Sequence, residues 1–136
     1  MLCAGDLPRF HGVSAPGVRL DAFTLGAEII ELRKKPSMPV GERFIDAFGE
    51  RPVYEDRGTR LHILLGVGKR DFGRHEYLLP RESRIHVIGS SSDHLICEAD
   101  EPCADLGYGS VLEFDLLYGA MLFLCDGNPY IKVEFQ

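Results

Sequence analysis

Two short segments carry the densest set of reactive and hydrogen-bonding side chains: Gly66-Val67-Gly68-Lys69-Arg70-Asp71-Phe72-Gly73 and Ile88-Gly89-Ser90-Ser91-Ser92-Asp93-His94. Each follows an apolar run and is expected at the end of a strand. Their glycines allow positive φ or close backbone approach, and their ammonium, carboxylate, hydroxyl and imidazole groups are suited to meeting a ligand or another chain. An ordinary polar turn is the alternative reading of the same residues.

The remaining candidates for chemistry are the histidines and cysteines. His11, His62, His75, His86 and His94 show no metal-ligand spacing, so no metal is expected. His62 and His86 fall inside apolar strands, where a satisfied imidazole is the expectation. Cys3, Cys97, Cys103 and Cys125 form no Cys-x-x-Cys pair, which argues against a zinc ribbon or a redox couple. Cys97 and Cys125 lie in apolar runs and are expected to be buried, reduced thiols.

The elements that must position these groups are mostly strands. From Ala22 to Arg33, Phe23, Leu25, Ala27 and Ile29 alternate with polar or small residues, and Ile30 and Leu32 continue on the opposite parity, so a bulge is expected near Ile29. Pro36 and Pro39 end that strand. Further strands are expected over 61–67, 85–88, 94–99, 111–118 and 130–135, which makes about six. No stretch holds a helical period for long, although 119–124 allows a turn or two. Residues 1–20, with Pro8, Gly12, Pro16 and Gly17, read as an irregular arm. Short strands without βαβ alternation predict a mainly all-β chain folded as an antiparallel barrel.

Composition agrees with one folded domain. The 136 residues are 45% hydrophobic and 26% charged, ordinary for a globular chain, while 15 glycines and 8 prolines imply frequent turns. A formal charge of −6 gives no footprint for nucleic acid or an anionic membrane. The longest apolar run, 116–125, is far shorter than a bilayer span, and the N-terminus resembles neither a secretory nor a transit signal, so a cytoplasmic protein is expected.

In order along the chain, a set of blocks resembles the C-terminal β-domain of ornithine-racemase-like amino-acid racemases, relatives of alanine racemase. The blocks are Leu20-Asp21-Ala22-Phe23-Thr24-Leu25 with Ala27-Glu28-Ile29-Ile30-Glu31-Leu32, Lys35-Pro36-Ser37, Asp46-Ala47-Phe48-Gly49 with Pro52-Val53-Tyr54-Glu55-Asp56, Gly68-Lys69-Arg70-Asp71, Gly89 to Ile96, Glu113 to Ala120, and Asn128-Pro129-Tyr130. The resemblance implies a parent enzyme with a TIM-type barrel that binds pyridoxal phosphate through a lysine. Residues 21–136 would be the β-domain that follows it and residues 1–20 the remnant of the barrel's end. It further implies a head-to-tail homodimer in which the β-domain lends residues to the partner's active site.

Carried over by position, Lys69 takes the place of the family's acid/base tyrosine. A lysine could move the same proton if its surroundings lowered its pKa toward neutrality; an exposed ion pair with Asp71 is the alternative. Arg70, Asp71, Ser91, Ser92, Asp93 and His94 fall where the family borders its substrate, with Asp93 and His94 suited to a cationic side chain or to capping their turn. Tyr130 lies near the family's cofactor-phosphate tyrosine, or packs its ring in a terminal strand. The Schiff-base lysine and the pyridine-nitrogen arginine are not among these residues, so the chain by itself is expected to bind no pyridoxal phosphate and to racemise nothing. A free-standing barrel that serves as a binding or interaction module is the competing reading.

Overall fold

The computed structural model describes residues 6–14, 16–17, 19, 21–36, 58–100, 103–126, 128–129 and 131–134. Their framework is one antiparallel sheet of six strands: β1 (Thr24–Pro36), β2 (Thr59–Leu65), β3 (Leu78–Pro80), β4 (Ile85–Ser90), β5 (Leu95–Ala99) and β6 (Val111–Leu116). The spatial order β3-β6-β1-β2-β5-β4 curls into a nearly closed barrel, as the sequence implies.

β1 makes the curl possible. Its first half, Thr24 to Glu28, pairs with β6, and from Ile29 to Pro36 it pairs with β2. The register slips between Ile29 and Glu31, which leaves Ile30 as the extra residue, 42% exposed while Ile29 is buried. An unpaired residue bends and twists its strand, so the parity change read in the sequence is the corner at which β1 passes from one neighbour to the other. Leu25, Ala27, Ile63, Leu65, Cys97 and Phe114 fill the interior, and burial pushes the Cys97 thiol up to about 12.

Four expectations are corrected. The segment expected as a strand over 130–135 is not one: Ile131 to Glu134 lie in no strand, Tyr130 and Phe135 fall outside the described residues, and the sixth strand is β3. The three residues of β3 pair with Leu116, Asp115 and Phe114, too short a run for alternation to mark. The arm is not wholly irregular, because Asp6–His11 form a helix, α1. Asp6 is buried and accepts the backbone N–H of Tyr118 at 2.8 Å, at the start of a helix over Tyr118–Leu124. Cys125 is exposed, since it follows the last turn of that helix. The imidazoles inside strands differ from one another: His86 Nε2 meets Asp100 at 2.8 Å, whereas His62 Nε2 stands 3.2 Å from Glu98 without hydrogen-bond geometry.

Candidate functional site

Strand register brings the two polar segments together. Leu65, the last residue of β2, faces Leu95, the first of β5, and Leu95 also faces Ser90, the last of β4. The chain leaving β2 and the turn joining β4 to β5 therefore emerge side by side at one end of the barrel.

There they are stitched through the backbone. Lys69 N–H donates to the Ser91 carbonyl at 2.9 Å and Arg70 N–H to the Ser92 carbonyl at 3.2 Å. The approach is so close that a Cβ at Gly68 would overlap the Ser92 carbonyl and the Asp93 backbone, so only glycine fits. Gly68 opens the one-turn helix α2 (Lys69–Phe72), and the side chain of Asp71 reaches back to accept the Gly68 N–H at 2.8 Å, one arm of a capping box. The other oxygen of Asp71 accepts from the Asn128 amide at 2.6 Å, and the residue is buried.

The facing turn holds itself. Ser91 N–H donates to the His94 carbonyl at 2.8 Å, and Ser91 Oγ accepts the N–H of His94 at 3.1 Å. Turn capping therefore belongs to Ser91. Asp93 bridges the segments instead, with one oxygen 3.1 Å from Arg70 Nη1 and the other accepting Ser92 Oγ–H at 2.7 Å.

A cleft of about 470 Å³ opens beside this junction, lined by Lys69, Arg70, Gly73, Arg74, His75, Glu76, Ser92 and Phe123. Of the residues expected at a site, Lys69, Arg70 and Ser92 reach the cleft. Asp71 and Ser91 hold the junction behind it, Asp93 pairs with Arg70 at its side, and His94 does not line it. Tyr130 lies outside the described residues.

Sequence reasoning missed Arg74, His75, Glu76 and Phe123. The first three follow α2 in a single 3-10 turn region, and Phe123 comes from the helix over Tyr118–Leu124, which is here α3. Gly73 has φ of 78° and lies against the Phe123 ring, where a Cβ would stand 2.6 Å from the nearest ring atom. The glycine so close to α2 was the one available signal. Arg74 caps the Tyr77 ring at 5.9 Å and pairs with Glu76 at 3.1 Å. Partial burial lifts the Glu76 carboxyl, but the Arg74 hydrogen bond and the neighbouring positive charges prevail and hold it below the usual carboxylate range. His75 Nδ1 meets Ser90 Oγ at 3.0 Å.

Among the described residues no group of three or more histidine, cysteine and acidic side chains could hold a metal ion. No described helix is long and apolar enough to cross a membrane.

Comparison with known proteins gives two informative relatives. The chain is 38% identical over 112 residues to ornithine racemase of Acetoanaerobium sticklandii, covering 82% of this chain and 31% of the relative. It is 32% identical over 116 residues to lysine racemase of Thermotoga maritima, covering 85% of this chain and 32% of the relative. The chain thus spans about a third of the length of each, on their C-terminal portions. No protein-family model matches. No solved structure matches.

Proposed function

We propose, from the premise that this chain belongs to the family of ornithine- and lysine-racemase-like proteins over their C-terminal third, that it is the β-domain of a racemase for a basic amino acid such as ornithine. In this reading it completes an active site whose other part is a pyridoxal-phosphate-binding barrel, within a cytoplasmic homodimer. The observation that carries the reading is the convergence of 66–73 and 91–94 on one cleft with Lys69 in its wall.

Each residue then has a task. Lys69 gives or takes the proton at the substrate's α-carbon on one face. Arg70 and Ser92 border the substrate. Asp71 and Ser91 keep Lys69 and Ser92 in register through the bonds described above, and Asp93 sets the side chain of Arg70. Tyr130 keeps the role the family resemblance implies, at the cofactor phosphate, while His94, away from the cleft wall, closes the turn through its backbone bonds to Ser91.

The described residues do not by themselves fit pyridoxal phosphate. Arg70 and Arg74 are exposed and engaged by Asp93 and Glu76, while the cofactor needs an enclosed lysine and a fixed partner for its ring nitrogen. Its electron-sink chemistry therefore belongs, in this proposal, to the barrel, and the chain alone is inactive.

The test is a chimera in which this chain replaces the C-terminal third of the Acetoanaerobium sticklandii ornithine racemase. Interconversion of D- and L-ornithine, read by chiral chromatography, is expected. A folded, cofactor-loaded chimera that does not racemise would favour the binding-module reading.

A further inference from the structure

Asn128 has no part in that reading and does not line the cleft, yet its amide donates at 2.6 Å to the buried carboxylate of Asp71, 57 residues away in sequence. Both oxygens of Asp71 are engaged. One accepts the Gly68 N–H at 2.8 Å, and the oxygen that Asn128 holds also has Arg70 Nε at 4.0 Å, so that Arg70 stands between Asp71 and Asp93.

The four residues of α2 close few bonds of their own. Asp71 and Phe72 donate to the Gly68 carbonyl at 2.8 and 3.3 Å, and Gly73 donates to the Lys69 carbonyl at 2.7 Å. A single turn of helix is not stable by itself, so its orientation comes from what it is tied to. The N–H groups of Lys69 and Arg70 bond the 91–92 turn, and Phe72 is fully buried. The bond from Asn128 adds a tie to a third segment. That segment is itself anchored, because the Asn128 carbonyl accepts the N–H of Ile131 at 3.1 Å and Ile131 packs against the core.

The ammonium of a lysine ends a flexible four-carbon stem, and where it reaches depends on where its backbone is held. Proton transfer is sensitive to that placement, since a shift of about 1 Å in a reacting group costs about a hundredfold in rate. We propose that Asn128 is a positioning residue for Lys69: by holding Asp71 it fixes the orientation of α2, and with it the point from which Lys69 enters the cleft. The effect on proton transfer rests on the racemase reading; the hold on α2 does not.

The test exchanges the two partners. Asn128→Asp sets a carboxylate against Asp71 and removes the bond with little change of volume. Asp71→Asn combined with Asn128→Asp restores both bonds, because the amide at position 71 accepts the Gly68 N–H through its oxygen and donates to position 128 through its nitrogen. Amide hydrogen exchange of the whole 136-residue chain reads the hold on α2. In Asn128→Asp the Lys69 and Arg70 amides are expected to exchange about tenfold faster relative to the strand amides of β2 and β5, and the double variant to restore their protection. An unchanged ratio, or acceleration shared equally by the strands, overturns the proposal. In the ornithine racemase chimera, deuterium incorporation at the α-carbon is followed for each hand of ornithine. Asn128→Asp is expected to slow, by about tenfold, the hand that Lys69→Ala slows, with the other hand and the KM within about twofold, and the double variant to recover most of the rate. No loss, equal losses from both hands, or a loss that the double variant does not repair overturns the role in proton transfer. If Lys69→Ala itself slows both hands alike, the part given to Lys69 in the racemase reading fails, while the hydrogen exchange still decides whether Asn128 holds α2.

Discussion

The Ser91 carbonyl accepts the backbone N–H of Lys69 at 2.9 Å, so the residue read as an acid/base and the turn read as a substrate border form one rigid unit. Neither depends on a long side chain to find the other. That is how a site on loops acquires the precision of the sheet from which the loops emerge.

The junction should fail when backbone approach is blocked. Gly68→Ala places a methyl group on the Ser92 carbonyl and the Asp93 backbone, atoms that cannot swing aside. A loss of about 3 kcal/mol is expected in denaturant unfolding, the upper end of the usual range for overpacked sites because the atoms met are backbone. An unchanged midpoint would contradict the packing described.

Asp71 should matter for stability before it matters for chemistry. Its two oxygens accept from Gly68 and from Asn128, so Asp71→Ala takes the acceptor from the buried Gly68 N–H and one bond from Asn128 and is expected to cost about 3 kcal/mol, and Asn128→Ala about 1 kcal/mol. The double variant should resemble Asp71→Ala, because the two residues share one bond. Full additivity would show that they act independently.

Cys97 should resist thiol reagents in the folded chain while Cys125 reacts, since one is buried and the other exposed. Burial moves the Cys97 thiol from 9.0 to about 12. A pKa raised on folding contributes stability that is complete below the unfolded value and lost as pH rises through the folded one. Alkaline unfolding measured between about pH 9 and 12 should therefore be weaker in Cys97→Ala per pH unit, whatever that variant costs at neutrality. Rapid labelling of Cys97 without unfolding would overturn this.

On the surface, the Arg84 guanidinium donates to both oxygens of Asp105, at 3.1 and 2.8 Å, and holds that carboxyl below its usual range. Such a pair contributes above the unfolded carboxylate pKa of about 3.9 and is lost as pH falls through the folded value. In Arg84→Gln the Asp105 carboxyl, followed by NMR, should titrate at higher pH than in the parent chain. An identical curve would mean that the pair does not persist in solution.

Much of this was legible in the chain itself. Alternation through Leu25, Ala27 and Ile29 identified β1, and the change of parity at Ile30 marked its bulge, because two-residue periodicity records which face is buried. The two polar segments were legible at strand ends, with Ser92 in a turn, but the one-turn helix that Lys69 and Arg70 begin was not. What could not be read was set by contacts distant in sequence. β3 is defined by its pairing with β6, α1 by the bond from Tyr118 to Asp6, and the His75 and Phe123 wall by the packing of α3 on Gly73. None of these leaves a periodic pattern.

If, as proposed, Lys69 exchanges a proton at the substrate's α-carbon, α-proton exchange must depend on it for one hand of the substrate only. In the ornithine racemase chimera, incorporation of solvent deuterium into D-ornithine and into L-ornithine would be followed separately for the parent and for Lys69→Ala. A group serving one face should, when removed, slow exchange from one enantiomer by about a hundredfold or more while the other retains most of its rate. Equal rates for both hands in Lys69→Ala, whether unchanged or reduced together, would contradict it.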